Sequence, residues 1–285
     1  MSLLLSIDLL APYDFGFFER GMVAATLAGA LCGVLGVYVV LRGMSYIGHG
    51  LSHAVFGGAA ASAVMSINFF VGAGIWGVVS GVLIGRIARR RILGADAAIG
   101  IVTTASFAAG IALLNRYGQA RKSIEAVLFG SVLGVSWGDV AAILVVGSVV
   151  AATLVLAYRS FLFATFDPQV ATVSGERVAL IEVMLMVMLS GTILVTMRVI
   201  GTLLISALLV IPAATARMMT NSFSKMLVIA PVIGAGSCFI GMNASYHLDT
   251  SAGATIILIS AAAFTAVYLF AGRRARSRVA SLHHI

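Results

Sequence analysis

Two histidines four residues apart, His49 and His53, stand in the string RGMSYIGHGLSHAVFGGAAAS over residues 42–62. On a helix that spacing puts both imidazoles on one face, about one turn apart. Two imidazoles so placed can hold one borderline divalent cation such as zinc. Gly48, Gly50, Gly57 and Gly58 flank the pair, and small residues let a second helix approach closely and close a site from the other side. The competing reading is two neutral imidazoles, each satisfied by a serine or a carbonyl within a helix interface. Two histidines do not complete a zinc shell, which usually takes four ligands. The remainder would come from another helix, a second subunit or water, and an incomplete shell suits an ion that must leave again.

Other polar residues are weaker candidates. His247 and Asp249 lie together in NASYHLDTSAG (243–253), where they would guide a cation inward or simply form a polar loop. Asp96 and Glu182 lie near the ends of apolar runs and read as solvated or helix-terminus charges; Glu182 is the better functional candidate because a whole apolar run follows it. Cys32 and Cys238 sit inside apolar runs and read as small core residues. There is no Gly-Lys dipeptide, so there is no phosphate-binding loop and no ATPase of that type in this chain. An intramembrane enzyme finds no nucleophile–base constellation to support it.

The elements that must position these groups follow from composition. Of 285 residues, 61% are apolar and 10% charged, against about 25% charged in a soluble domain; mean hydropathy is +1.10. That balance excludes soluble, disordered, fibrous and nucleic-acid-binding classes and predicts an all-α polytopic transmembrane bundle. Apolar runs at 18–41, 47–67, 69–87, 97–115, 140–158, 178–197, 201–218, 226–242 and 252–271 give nine spans. The Gly-interrupted stretch 127–138 and the short link Val199–Gly201 could each be a broken or re-entrant segment, which leaves eight or nine. The whole of 1–285 reads as one domain. Residues 1–17, with Asp8 and Asp14 and no basic run, form an interfacial segment, and 273–285 a tail ending in His283 and His284.

The net charge of +8 is distributed as orientation signals rather than as a polyanion site. Arg42, Arg86 to Arg91, Arg159 with Arg177, Arg217 with Lys225, and the Arg273 to Arg278 cluster fall on one side of a nine-span chain, which makes that side cytoplasmic and the N-terminus external. The longest polar cytoplasmic stretch is 158–177. Pro168 can start a short helix there and Gly175 can end it, giving either a docking knob or an ordinary loop.

Three segments together resemble the membrane permease family of ABC-type manganese, zinc and iron importers: LRGMSYIGHGLSHAVFGGAA (41–60), VIGTLLISALLVIPAATARM (199–218) and SYHLDTSAGATIIL (245–258). The resemblance covers nearly the whole chain. It implies the type II importer fold, a permease that pairs with a second copy of itself, a dimer of cytoplasmic ATPase subunits, an extracytoplasmic metal-binding protein, and residence in a bacterial cytoplasmic membrane. No cofactor would be held permanently; the divalent metal is cargo. Asp167, Pro168, Ser174 and Gly175 would belong to the stretch that docks on the ATPase. Pro212, Ala213 and Ala214 would lie in a helix lining the translocation interface. One departure stands out. The family commonly has Asp and then His four residues later; His49 occupies the Asp position and His53 matches the His. A His–His pair favours nitrogen-seeking zinc over manganese, unless the first position binds no metal and His53 acts alone.

Overall fold

The computed structural model describes residues 11–89, 95–117 and 134–282. After a 3₁₀ turn at Ala11–Asp14 come α1 (Gly16–Leu41), α2 (Ile47–Met65), α3 (Phe69–Arg89), α4 (Ala95–Tyr117), α5 (Trp137–Leu156), α6 (Tyr158–Phe166), α7 (Pro168–Val173), α8 (Val178–Ile200), α9 (Thr202–Met219), α10 (Phe223–Leu248) and α11 (Ala252–Leu282). No strand occurs among the described residues. Each predicted span falls on a helix. Seven helices, α1, α3, α4, α5, α8, α10 and α11, are long and apolar enough to cross a bilayer. The other two, α2 and α9, have 19 and 18 residues. They lie inside the bundle, α2 against α3, α4, α8 and α9, and α9 also against α1, α10 and α11. Most of the doubtful 127–138 stretch lies outside the described residues.

Small residues set the distances between helices. In a bilayer, lipid tails are as apolar as leucine, so helices associate through close packing rather than through burial from water. Gly29 on α1 and Gly234 on α10 meet backbone to backbone, and a Cβ on Gly33 would lie 2.7 Å from the Pro231 Cα. Rising numbers on α1 meet falling numbers on α10, so the two helices are antiparallel. Gly36 approaches the Leu209 carbonyl and Ala213 on α9. Cys32 and Cys238 are free, buried thiols at this crossing, as expected for small core residues. Outside the bundle the apolar surface is bare: Val155 and Leu156 on α5 are 75% and 87% exposed, a state suited to lipid.

The link between α8 and α9 is a single residue. Gly201 has φ +89° and ψ 149° and ends one helix while starting the next; a side chain at that positive φ would be strained. Nearby, Arg198 donates to Asp139 Oδ1 at 2.9 Å and its guanidinium lies 5.6 Å from the Phe70 ring centroid. Asp139 in turn closes a capping box with Ser136 at the start of α5. This joins α3, α5 and α8 at one end of the bundle.

The 158–177 segment differs from a loop with one short helix. It holds two helices, because the apolar side of YRSFLFATF has a place to go. Phe161 is fully buried and meets Tyr38 edge-on at 5.7 Å, while Tyr38 meets Phe223 at 5.5 Å. The backbone of α11 continues through the Arg273–Arg278 cluster to Leu282, and His283 and His284 lie outside the described residues.

Close backbone contact at the α1–α10 crossing has a measurable consequence. Gly234→Val, whose side chain would press on Gly29, should destabilise the detergent-solubilised protein by about 3 kcal/mol. Gly236→Ala, where an added Cβ meets nothing within 4 Å, should change stability by no more than about 0.5 kcal/mol. Thermal unfolding of the two variants beside wild type checks this.

Candidate functional site

The α2 helix is positioned for its histidines by glycine contacts on two sides. A Cβ on Gly50 would collide with Ile99 and lie 2.8 Å from Thr103 Oγ1 on α4; a Cβ on Gly57 would strike the Ser106 carbonyl; one on Gly110 would lie 2.8 Å from the Gly57 Cα. Numbers rise together on both helices, so α2 and α4 run parallel and touch along their length. On the opposite side Gly58 approaches Gly72 and Ala73 of α3. Ser52 and Ser62 satisfy their hydroxyls within α2, donating to Gly48 O and Gly58 O at 2.9 Å each. The helix is therefore apolar to its neighbours apart from the imidazoles.

His49 is the third residue of α2 and exposed, and His53 is half-buried one turn further in. Their ring centroids are 4.4 Å apart at an interplanar angle of 84°. The His53 ring stands edge-on to Phe107 of α4 at 5.0 Å, and Phe107 is braced by Phe56 at 5.2 Å. Buried His53 Nδ1 has no hydrogen-bond partner, so the reading in which each imidazole is satisfied by a neighbouring serine or carbonyl fails for that atom. The serines that would have served are occupied along their own helix.

Both histidines line a cavity of about 480 Å³ between α2 and α4. Asp96, Gly100, Thr103 and Phe107 form much of its other wall. Asp96 is where sequence reasoning puts it, but it has a second aspect. It reads as a helix-terminus charge, and it is in the first turn of α4, but it also faces the histidine cavity. The signal was available in the 4-3-4 spacing of Asp96, Gly100, Thr103 and Phe107, which defines one helix face. Among the described residues no three His, Cys, Asp or Glu side chains converge as a metal-holding group. The cavity therefore offers a two-imidazole bite with an oxygen donor further along its wall.

The remaining sequence candidates lie elsewhere. His247 is in the last turn of α10 and Asp249 is its left-handed cap, with φ +50°. Because α10 runs antiparallel to α1, both are at the bundle end remote from His49. His247 Nε2 is buried without a partner. Pro212 and Ala213 are buried and Ala214 half-buried within the protomer. Asp167 Oδ1 accepts from the Gln169 and Val170 N–H groups at 3.0 and 2.9 Å, Pro168 is the first residue of α7, Ser174 caps its end, and Gly175 follows at φ +86°. The result is a stiff short helix that presents Val173, 90% exposed. Behind it lies a groove of about 1170 Å³ that includes Arg42, Arg177 and Glu182; Arg42 Nε donates to Thr165 Oγ1 at 3.2 Å.

One string with catalytic spacing has a structural role. Gly134-Val135-Ser136-Trp137-Gly138 matches Gly-x-Ser-x-Gly, the nucleophile elbow of a strand-to-helix turn. Here Ser136 is a helix N-cap whose hydroxyl donates to Asp139 Oδ2 at 2.7 Å and accepts from Asp139 N–H at 3.3 Å. No strand precedes it among the described residues.

A helical bundle with a bare lipid-facing surface, an open cleft that holds two imidazoles and a carboxylate in a largely apolar wall, and a short surface helix at that same end fits a multi-pass membrane transport subunit. The chain belongs to the ABC 3 transport family, whose model matches residues 14–271. It is 35% identical over 261 residues to the manganese transport system membrane protein MntC of Listeria monocytogenes, covering 92% of this chain and 93% of that one. It is 34% identical over 268 residues to the probable iron transport system membrane protein of Haemophilus influenzae, covering 94% and 98%. Its fold superposes on the solved structure of PsaBC from Streptococcus pneumoniae in complex with Fab with a TM-score of 0.82, at 31% identity and covering 92% and 94%. The resemblance read from the three motifs is thus met, and the protein is a permease of the cell membrane.

The exposure gradient along α2 can be read chemically. In inside-out vesicles a cysteine at position 49 (His49→Cys) should react with a membrane-impermeant maleimide at least tenfold faster than one at position 53 (His53→Cys). Native Cys32 and Cys238, both fully buried, should remain unlabelled in wild type, since buried thiols are inert. Mass spectrometry of the labelled chain checks both.

Proposed function

We propose that this chain is the membrane subunit of an ATP-driven importer for a divalent first-row transition metal, and that His49 and His53 contact the metal in transit. The observation that carries the reading is His53 Nδ1, a buried imidazole nitrogen without a partner, beside a second imidazole at 4.4 Å on an open cavity. Manganese or ferrous iron is favoured as cargo. The His–His pair by itself leans to zinc, but relatives covering nearly the full chain are named for manganese and iron transport, and the cavity carries oxygen as well as nitrogen donors. The metal is substrate rather than resident cofactor.

Transport would proceed by alternating access. An extracytoplasmic protein delivers the ion to the permease, a second copy of this chain supplies the facing wall, and two ATPase subunits drive the change of state. Docking of the ATPase would fall on α7, where Asp167 and Pro168 fix the helix start, Ser174 and Gly175 fix its end, and Val173 supplies the apolar tip. Pro212, Ala213 and Ala214 would act indirectly, as the packed middle of α9 against which α1 turns. His247 and Asp249, at the remote end, would meet the ion on the external side. A self-sufficient channel or secondary carrier finds less support, because the family model that matches residues 14–271 is that of an ABC transport family, and the sequence shows no repeats with paired broken helices of the kind such carriers use.

The test is ATP-driven metal uptake in proteoliposomes holding this chain with its cognate ATPase and binding protein, with manganese, iron and zinc in competition. His53→Ala should lower uptake at least tenfold, and His49→Asp should raise the preference for manganese over zinc. Wild-type uptake by His53→Ala would sink the site assignment. In the same vesicles Val173→Asp should abolish uptake while the chain still inserts, since a charge on the exposed apolar tip opposes docking.

A further inference from the structure

The cavity wall on α4 carries one donor that the histidine pair does not explain. Asp96 lies in the first turn of that helix and is exposed, and it lines the same cavity as His49 and His53. Parallel packing gives relative depths. Gly50 faces Ile99 and Thr103, and Gly57 faces Ser106 and Gly110. His49, next to Gly50, is therefore level with about residue 100 of α4, and His53 with about residue 104, within reach of the Phe107 ring that it touches. Asp96 is four residues nearer the helix start than Gly100, about 6 Å along the axis at 1.5 Å per residue. Three donors thus descend one cleft in the order His53, His49, Asp96, toward the end that the arginine distribution makes cytoplasmic.

Spacing decides what Asp96 can do. Metal–oxygen and metal–nitrogen bonds are about 2.0–2.2 Å long, so a carboxylate a helical turn below the imidazoles does not share an ion with both rings. It can take the ion over from His49 as the ion moves through the cleft toward its cytoplasmic mouth. The wall between them is open, because a Cβ added at Gly100 meets nothing within 4 Å. The chemistry suits a handover. Carboxylate oxygen is a harder donor than imidazole and suits manganese well, and an ion passing to it gains exposure to water and a route to the cytoplasm.

We propose that Asp96 is the cytoplasm-side acceptor of the transported ion, a relay carboxylate that receives it from the histidine pair through the notch at Gly100 and gives the path its preference for manganese over zinc. This rests on the assignment of the histidine cleft as the metal path.

The test uses the full complex in proteoliposomes, with radioactive manganese and zinc as probes. Asp96→Asn should lower manganese uptake at least tenfold and zinc uptake less than threefold, and Asp96→Glu should restore at least half of the manganese rate. Gly100→Val, which fills the notch without touching a donor, should lower uptake of both metals at least tenfold. A wild-type manganese rate in Asp96→Asn overturns the relay, and so does an equal fall for both metals, which is the signature of a helix-terminus charge alone. Where Asp96→Asn does not reach the membrane, Gly100→Val decides, and a wild-type rate there overturns the proposal. His53→Ala separates the two levels. If it transports normally, the histidine path itself fails. If it is inactive while Asp96→Asn is normal, only the relay falls.

Discussion

Glycine-to-backbone contact between helices is the constraint on which the rest of this structure depends. A bilayer does not drive helices together by the hydrophobic effect, so the distance between two axes is set by what stands between them. Here that is often a hydrogen atom. Gly29 meets Gly234, Gly36 meets the Leu209 carbonyl, Gly57 meets Ser106 and Gly110. With α2 held this closely against α3 and α4, its first two turns can expose imidazoles to a cleft instead of to lipid. Widening the α2–α4 contact by one methyl group would move the His53 ring off Phe107 and change the donor geometry more than any local substitution in the cleft.

The same constraint distributes polarity. Buried hydroxyls on α2 bond to carbonyls of their own helix, and the ion pair of Arg198 with Asp139 sits at the bundle end remote from His49. Half-exposed Arg198 and largely buried Asp139 form an asymmetric pair whose net value is small for the exposed member and larger for the buried one, which would otherwise lose a partner. Its function is geometric. It fixes α3, α5 and α8 at one end, so that freedom between helices is left to the other end, where α7, the arginine groove and the histidine cleft are gathered.

Sequence reading reached the helical class, the nine runs and the His49–His53 face, because each of these is a local pattern. Apolar run length, a four-residue spacing and a Pro-to-Gly bracket around 168–175 need no tertiary information. It missed what depends on packing. The YRSFLFATF segment looked like loop because its periodicity pays off only when Phe161 has Tyr38 to meet. Asp96 is at the helix terminus as read, but the face it shares with Gly100, Thr103 and Phe107 becomes meaningful only once α4 is known to lie parallel to α2. The Gly134–Gly138 string carries a catalytic spacing that sequence reading passed over, and the fold uses its Ser136 as an N-cap.

A path for an ion needs weak sites in series more than it needs one strong site. Structural zinc shells with four protein ligands are worth about 10–16 kcal/mol, which reaches nanomolar affinity and beyond. With association near 10⁸ per molar per second, a nanomolar site would release its ion only about once in ten seconds. Two imidazoles 4.4 Å apart, with a carboxylate a turn further down the same wall, would avoid that trap if they form the ion path proposed above. On the proposed reading each station would hold the ion by few protein bonds, with water completing the shell. On the proposed reading, substituting His49 for the aspartate common at that position moves the oxygen donor from α2 to α4 rather than deleting it. The ion then meets nitrogen in the deeper, drier part of the cleft and oxygen at its mouth, an order that favours a harder ion leaving and penalises one that prefers nitrogen.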